Sequence, residues 1–114
     1  MFDEKLQYKM TLRLFTDEKA FGPGIARLLR LTDETHSLNK AAAAMGMAYS
    51  KAWKILNESE DALGFKLLER HAGGSGGGGA ALTDQGRQLL VCYESFLEEA
   101  AASVDRIFEK YFKA

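Results

Sequence analysis

The chain has 114 residues, the size of one domain, and with 46% hydrophobic residues it can bury a core without a metal or disulfide staple. Its net charge of −1 by itself argues against a nucleic-acid partner. The single cysteine, Cys92, excludes an intrachain disulfide and fits a reducing compartment. The amino terminus, MFDEKLQYKM, lacks the basic start and apolar run of a signal peptide, and no apolar stretch approaches the roughly 20 residues of a membrane span. The expectation is a cytoplasmic protein with no membrane partner.

The charges are unevenly placed. Between Ser37 and Asn57 there are three lysines (Lys40, Lys51, Lys54) and no acid, whereas from Leu82 onward six acids outnumber four basic residues. An accident of small numbers would produce the same asymmetry, so the motifs must decide what it means.

In chain order, Leu6 to Thr16 alternates Leu6, Tyr8, Met10, Leu12 and Leu14 with polar residues, the two-residue period of a half-buried strand. The run Thr16 to Lys19 reads as a hairpin turn with a short return through Ala20 and Phe21. Pro23, the only proline, suits the first turn of a helix carrying Ile25, Leu28 and Leu29 on its core face. Ser37 is placed to cap a second helix from about Leu38 to Met45, which Gly46 ends. A third helix runs from near Ala48 to Leu63, where Gly64 stops it. Phe65, Leu67 and Leu68 start a strand that returns through Ala80 to Leu82, and Thr83 caps a last helix of about thirty residues.

Lys40 to Ile55, KAAAAMGMAYSKAWKI, fills the slots of a helix-turn-helix. Two helices that cross closely need a small residue at the crossing, here Ala42, and a residue tolerant of positive φ four positions on, here Gly46. Ala41, Met45, Met47, Ala52 and Ile55 supply the inner face. At about 100° per residue, Ser50, Lys54, Asn57 and Asp61 fall opposite that face, flanked by Tyr49 and Lys51. A recognition helix presents hydrogen-bonding and cationic groups from its amino-terminal half to base edges and phosphates, whereas Glu58, Glu60 and Asp61 lie far enough along to point away from the duplex. An alanine-rich helical hairpin with a solvated lysine face is the plain alternative.

The run from Gly73 to Gly79 lacks the lysine and Ser/Thr that a phosphate-binding P-loop places after its last glycine. A flexible linker is compositionally natural, but both flanks can pair as strands. A wing fits better, its glycines allowing close approach to a sugar-phosphate backbone and Arg70, His71 and Ser75 supplying donors. The candidate DNA contacts are therefore Ser37, Asn39 and Lys40 at the start of the first motif helix, Tyr49, Ser50, Lys51, Lys54 and Asn57 on the second, and Arg70, His71 and Ser75 at the wing.

In the last helix Leu90, Tyr93, Leu97, Ala100, Val104, Ile107 and Tyr111 recur at spacings of three and four, a coiled-coil-like seam broadened by Leu89, Phe96, Ala101, Phe108 and Phe112. A helix of roughly 45 Å exceeds what so small a domain covers, and a second copy is the economical partner. Folding back onto the amino-terminal strand and first helix is the other use for part of this face.

The segments FGPGIARLLRLTDETHSLNKAAAAMGMAYSKAW (Phe21 to Trp53) and LLERHAGGSGGGGAALTDQGRQLL (Leu67 to Leu90) resemble the amino-terminal DNA-binding domain of the ModE family of molybdate-responsive regulators. More distantly, the chain is similar to the amino-terminal domains of LysR-type regulators. The resemblance implies a winged helix-turn-helix, mainly α with small β, having an amino-terminal β-hairpin, a DNA-binding region over residues 1–82 and a dimerisation helix over 83–114 of the same domain. It implies a homodimer on a palindromic duplex DNA operator. The helix around Tyr49, Ser50, Lys51 and Lys54 would enter the major groove, with Arg70 to Gly79 on the backbone or minor groove. Trp53, a family hallmark, reads as packing first and DNA contact second. The carboxy-terminal molybdate-binding region of the family has no counterpart before Ala114, so a molybdate response is expected to need a separate molybdate-binding partner.

No nucleophile–base pair or metal cluster is recognisable, so no enzyme, cofactor or metal is expected. The serious rival is a winged-helix interaction adaptor or antagonist that dimerises without binding DNA. The acidic total charge favours it and the acid-free stretch opposes it.

Overall fold

A short antiparallel hairpin, β1 (Leu14–Phe15) and β2 (Lys19–Phe21), is closed by the Thr16 amide donating to the Glu18 carbonyl at 2.9 Å. Three helices follow: α1 (Pro23–Thr35), α2 (Leu38–Ala44) and α3 (Tyr49–Leu63). A second antiparallel hairpin, β3 (Leu68–His71) and β4 (Gly79–Leu82), leads into α4 (Asp84–Phe112). The computed structural model describes residues 1–71 and 79–113. The architecture is the expected winged helix-turn-helix with an amino-terminal hairpin and a long carboxy-terminal helix.

Local chemistry accounts for the helix ends. Pro23 occupies the first turn of α1, where its missing N–H costs nothing. Ser37 Oγ accepts the Lys40 amide at 3.1 Å, and Thr83 Oγ accepts the Gly86 amide at 2.9 Å. Gly46 turns the chain between α2 and α3 with φ 67°, a conformation that a side chain disfavours. His36 adopts the same left-handed region (φ 59°) at the end of α1, and its carbonyl accepts the Ala80 amide at 3.0 Å, tying that end to β4.

The core lies where the three motif helices meet the base of the second hairpin. Leu28 and Leu29 of α1, Ala41 and Ala42 of α2, and Ala52 and Leu56 of α3 are all fully buried. Each leucine contributes about 1.5–3 kcal/mol by leaving water. The alanines matter for the opposite reason, since they keep the helices close. From α4 come Leu90 and Tyr93, the latter with its ring edge-on to Phe21 at 5.1 Å.

The reading of Leu6 to Thr16 as one strand needs correction, because only Leu14 and Phe15 pair. A strand is stabilised by a partner's amides and carbonyls, and β2 is three residues long. Residues 1–13 instead run antiparallel beside α4. The Tyr93 hydroxyl donates to the Leu12 carbonyl at 2.7 Å, the Tyr8 hydroxyl donates to Asp105, and Lys113 Nζ donates to the Glu4 carbonyl at 2.9 Å. The alternation survives in diluted form. Tyr8, Leu12 and Leu14 are half-buried, while Leu6 and Met10 stay exposed.

With 29 residues, α4 is roughly 44 Å long, in a molecule of 61 × 28 × 20 Å. Its first turns are docked in the core and the remainder extends beyond it. Among the described residues, no helix is long and apolar enough to cross a membrane.

Candidate nucleic-acid interface

The orientation of α3 follows from what it buries. Ala52 and Leu56 face the core, Met45, Met47 and Ile55 pack beside them, and Ser59 Oγ donates to the Ala20 carbonyl of β2. The inner face is thereby occupied from the first turn to the last. The opposite face, with Tyr49, Ser50, Lys51, Lys54 and Asn57, is exposed. No acid occurs on α3 before Glu58.

Asn39 and Lys40 are exposed on α2, close in sequence to the Ser37 cap. Ser37 is half-buried and its hydroxyl oxygen already accepts the Lys40 amide. That side chain shapes the helix start whatever else it touches.

The wing base is anchored to α3 by two contacts that have no local sequence signal. Glu60, read as one of the acids pointing away, is turned inward and buried, and its carboxylate accepts the amides of Leu67 and Leu68. Arg70 of β3 lies with its guanidinium carbon 3.8 Å from the centroid of the Trp53 ring. Tyr49 meets the same ring edge-on, 6.2 Å between centroids at 88°. Trp53 is half-buried and packs against the core. Exposed Arg70 therefore stands next to the exposed amino-terminal half of α3. Ser75 lies outside the described residues, as does the side chain of His71.

With this geometry in place, the relatives are informative. Residues 26–87, more than half of the chain, match the model of the bacterial regulatory helix-turn-helix proteins of the lysR family. The chain belongs to this family. Within it the chain is similar to the molybdenum transport protein ModE of Azotobacter vinelandii, 33% identical over 84 residues, which are 74% of this chain and 31% of that protein. It is likewise similar to the transcriptional regulator ModE of Yersinia pestis, 35% identical over 89 residues (78% and 32%). The DNA-binding transcriptional dual regulator ModE of Escherichia coli K12 is 34% identical over 90 residues (78% and 34%). The chain thus spans about a third of the length of the curated relatives it matches.

This ModE-like, lysR-family helix-turn-helix leaves a second surface exposed on α4. The seam read from the sequence grades from buried to exposed along the helix. Leu90 and Tyr93 are 0% and 2% exposed and belong to the protomer's own core. Leu97, Ala100 and Val104 are half-buried, whereas Ile107 and Tyr111 are 54% and 63% exposed. Phe96, at 47%, joins Ala100, Ile107 and Tyr111 on one stripe, because spacings of four, seven and four keep them within about one helix face. Periodicity alone merges a core stripe with its neighbour, so Leu90 and Tyr93 share the seam of the outer residues although they are core. Among the described residues, no group of three His, Cys, Asp or Glu is placed to hold a metal.

Proposed function

We propose that this lysR-family chain is a sequence-specific, duplex-DNA-binding transcriptional regulator that acts as a homodimer in the cytoplasm. The observation that carries the reading is the exposed amino-terminal part of the outer face of α3, where Tyr49, Ser50, Lys51, Lys54 and Asn57 precede the first acid of the helix, Glu58. On a chain of net charge −1, clearing acids from the amino-terminal half of α3 concentrates positive potential where a phosphate backbone would lie. Amide, hydroxyl and phenol groups beside the lysines supply the donors and acceptors that base edges require. Residues 1–82 then form the DNA-binding part and 83–114 the dimerisation helix of one domain. The stripe of exposed Phe96, Ile107 and Tyr111, with half-buried Ala100 among them, faces the second copy.

Two-fold symmetry implies two half-sites about one helical turn apart, roughly 34 Å. The rival reading, a dimeric adaptor that has lost DNA binding, draws only on the net charge, and the acid-free stretch from Ser37 to Asn57 counts against it. None of these roles calls for a catalytic step. The molybdenum in the name of the Azotobacter relative makes molybdate the first effector to try, acting through a separate molybdate-binding partner. Selection of bound sequences from a random duplex pool tests the proposal. An inverted repeat should emerge, and recovery of no sequence above background would overturn it.

A further inference from the structure

Arg70 and Trp53 sit on different elements, β3 and α3, yet the guanidinium lies over the indole at 3.8 Å. Tyr49 closes on the same ring from its edge. The stack therefore joins the amino-terminal half of α3 to the strand that leads away from it.

Two features separate this from ordinary packing. Trp53 Nε1 is buried with no hydrogen-bond partner among the described residues, so the indole is not held in place through its polar atom. What it presents to Arg70 is its π face. The Arg70 side chain, for its part, is exposed and makes no hydrogen bond or ion pair among the described residues. A guanidinium stacked by its face keeps its in-plane N–H donors available, and a bidentate phosphate contact uses those donors. Lysine has no such face, and an unstacked arginine would lose more rotamer freedom on binding.

Building on the DNA-binding reading above, we propose that Trp53 is a positioning residue that holds the Arg70 guanidinium ready for a backbone phosphate, so that α3 and β3 engage one duplex as a unit. Trp53 then acts through Arg70 and needs no contact with DNA of its own.

The test has two arms. Trp53 is the only tryptophan, so its emission in the free protein reports the stack directly. Arg70→Ala and Arg70→Lys should shift that emission to the red by opening the ring face to water, and Lys51→Ala should not. Unchanged emission in the Arg70 variants would overturn the stack.

The second arm is a double-mutant cycle on a labelled duplex recovered by selection. Arg70→Ala and Trp53→Leu should each weaken binding about tenfold, and the double variant should be no weaker than Arg70→Ala alone. Trp53→Phe, which keeps a ring face, should stay within about threefold of the parent. Additive losses, or full affinity in a folded Trp53→Leu protein, would overturn the positioning role while leaving the DNA reading intact. A parent protein that binds no duplex at all would overturn both.

Discussion

The buried carboxylate of Glu60 accepts the Leu67 amide at 2.6 Å, and the Leu68 amide at 3.3 Å shares the same oxygen. With Lys66 Nζ at 3.6 Å, a single side chain near the end of α3 holds the first residues of the wing. Glu60→Ala leaves two buried donors unpaired and should cost about 2–3 kcal/mol. Glu60→Gln keeps an acceptor and should cost less, about 1 kcal/mol. Urea unfolding monitored by circular dichroism checks both, and equal stability of Glu60→Ala and the parent would contradict the anchoring role.

Gly86 makes an opposite demand on the same segment, at Leu67 just before β3. A Cβ there would collide with the Leu67 carbonyl oxygen and lie 3.0 Å from the Leu67 Cα. Gly→Ala in a helix ordinarily gains up to about 1 kcal/mol. Gly86→Ala should instead lose about 1–3 kcal/mol, because α4 must shift away from the base of the wing. A raised Tm for this variant would show that the close approach is not maintained.

These two contacts indicate what was readable in advance. The helix ends were legible because their signals are local, with Pro23, Ser37, Gly46, Gly64 and Thr83 each acting within a few residues. The outer and inner faces of α3 followed from its periodicity. What escaped depends on partners distant in the chain. Residues 6–13 alternate like a strand but have none to pair with, so they lie along α4. Leu90 and Tyr93 share a helical period with Ile107 and Tyr111 but dock into the protomer's core, Tyr93 against Phe21. The burial of Glu60 and the stacking of Arg70 on Trp53 arise only once β3 is folded against α3.

Asp33 of α1 accepts Arg87 Nη2 at 2.6 Å and Nη1 at 3.2 Å, with Arg30 Nη1 at 3.4 Å. The hydrogen bonds from Arg87 hold the Asp33 carboxyl below its ordinary value of 3.8. A folded-state value below the unfolded one adds stability above pH 3.8, and that stability is lost as pH falls through the depressed value. Because Arg87 is about half exposed, solvent screening limits the effect. Asp33→Asn should lose less than about 1 kcal/mol at neutral pH, with the difference from the parent closing in acid. A difference independent of pH would remove the ion pair as its cause. Thermal melts across pH measure it.

If the exposed stripe of α4 joins two copies, charge placed on it must separate them. The double variant Phe96→Glu, Ile107→Glu should sediment as a monomer of unchanged helical content, against a dimeric parent. Both residues lie outside the protomer's core, so the fold should persist. A dimer unaffected by both charges would move the interface elsewhere.

The salt dependence of duplex binding tests the account at its centre. Lys40, Lys51, Lys54 and Arg70 in each of two subunits suggest about six to eight phosphate contacts, hence a slope of log affinity against log salt near −5 to −7. Lys51→Ala, Lys54→Ala should leave the melting temperature unchanged, because both side chains are exposed. The same variant should flatten the slope by about 3 to 4, since it removes four contacts per dimer. A double variant that binds with the parent's affinity and slope would contradict the assignment of the outer face of α3 to DNA.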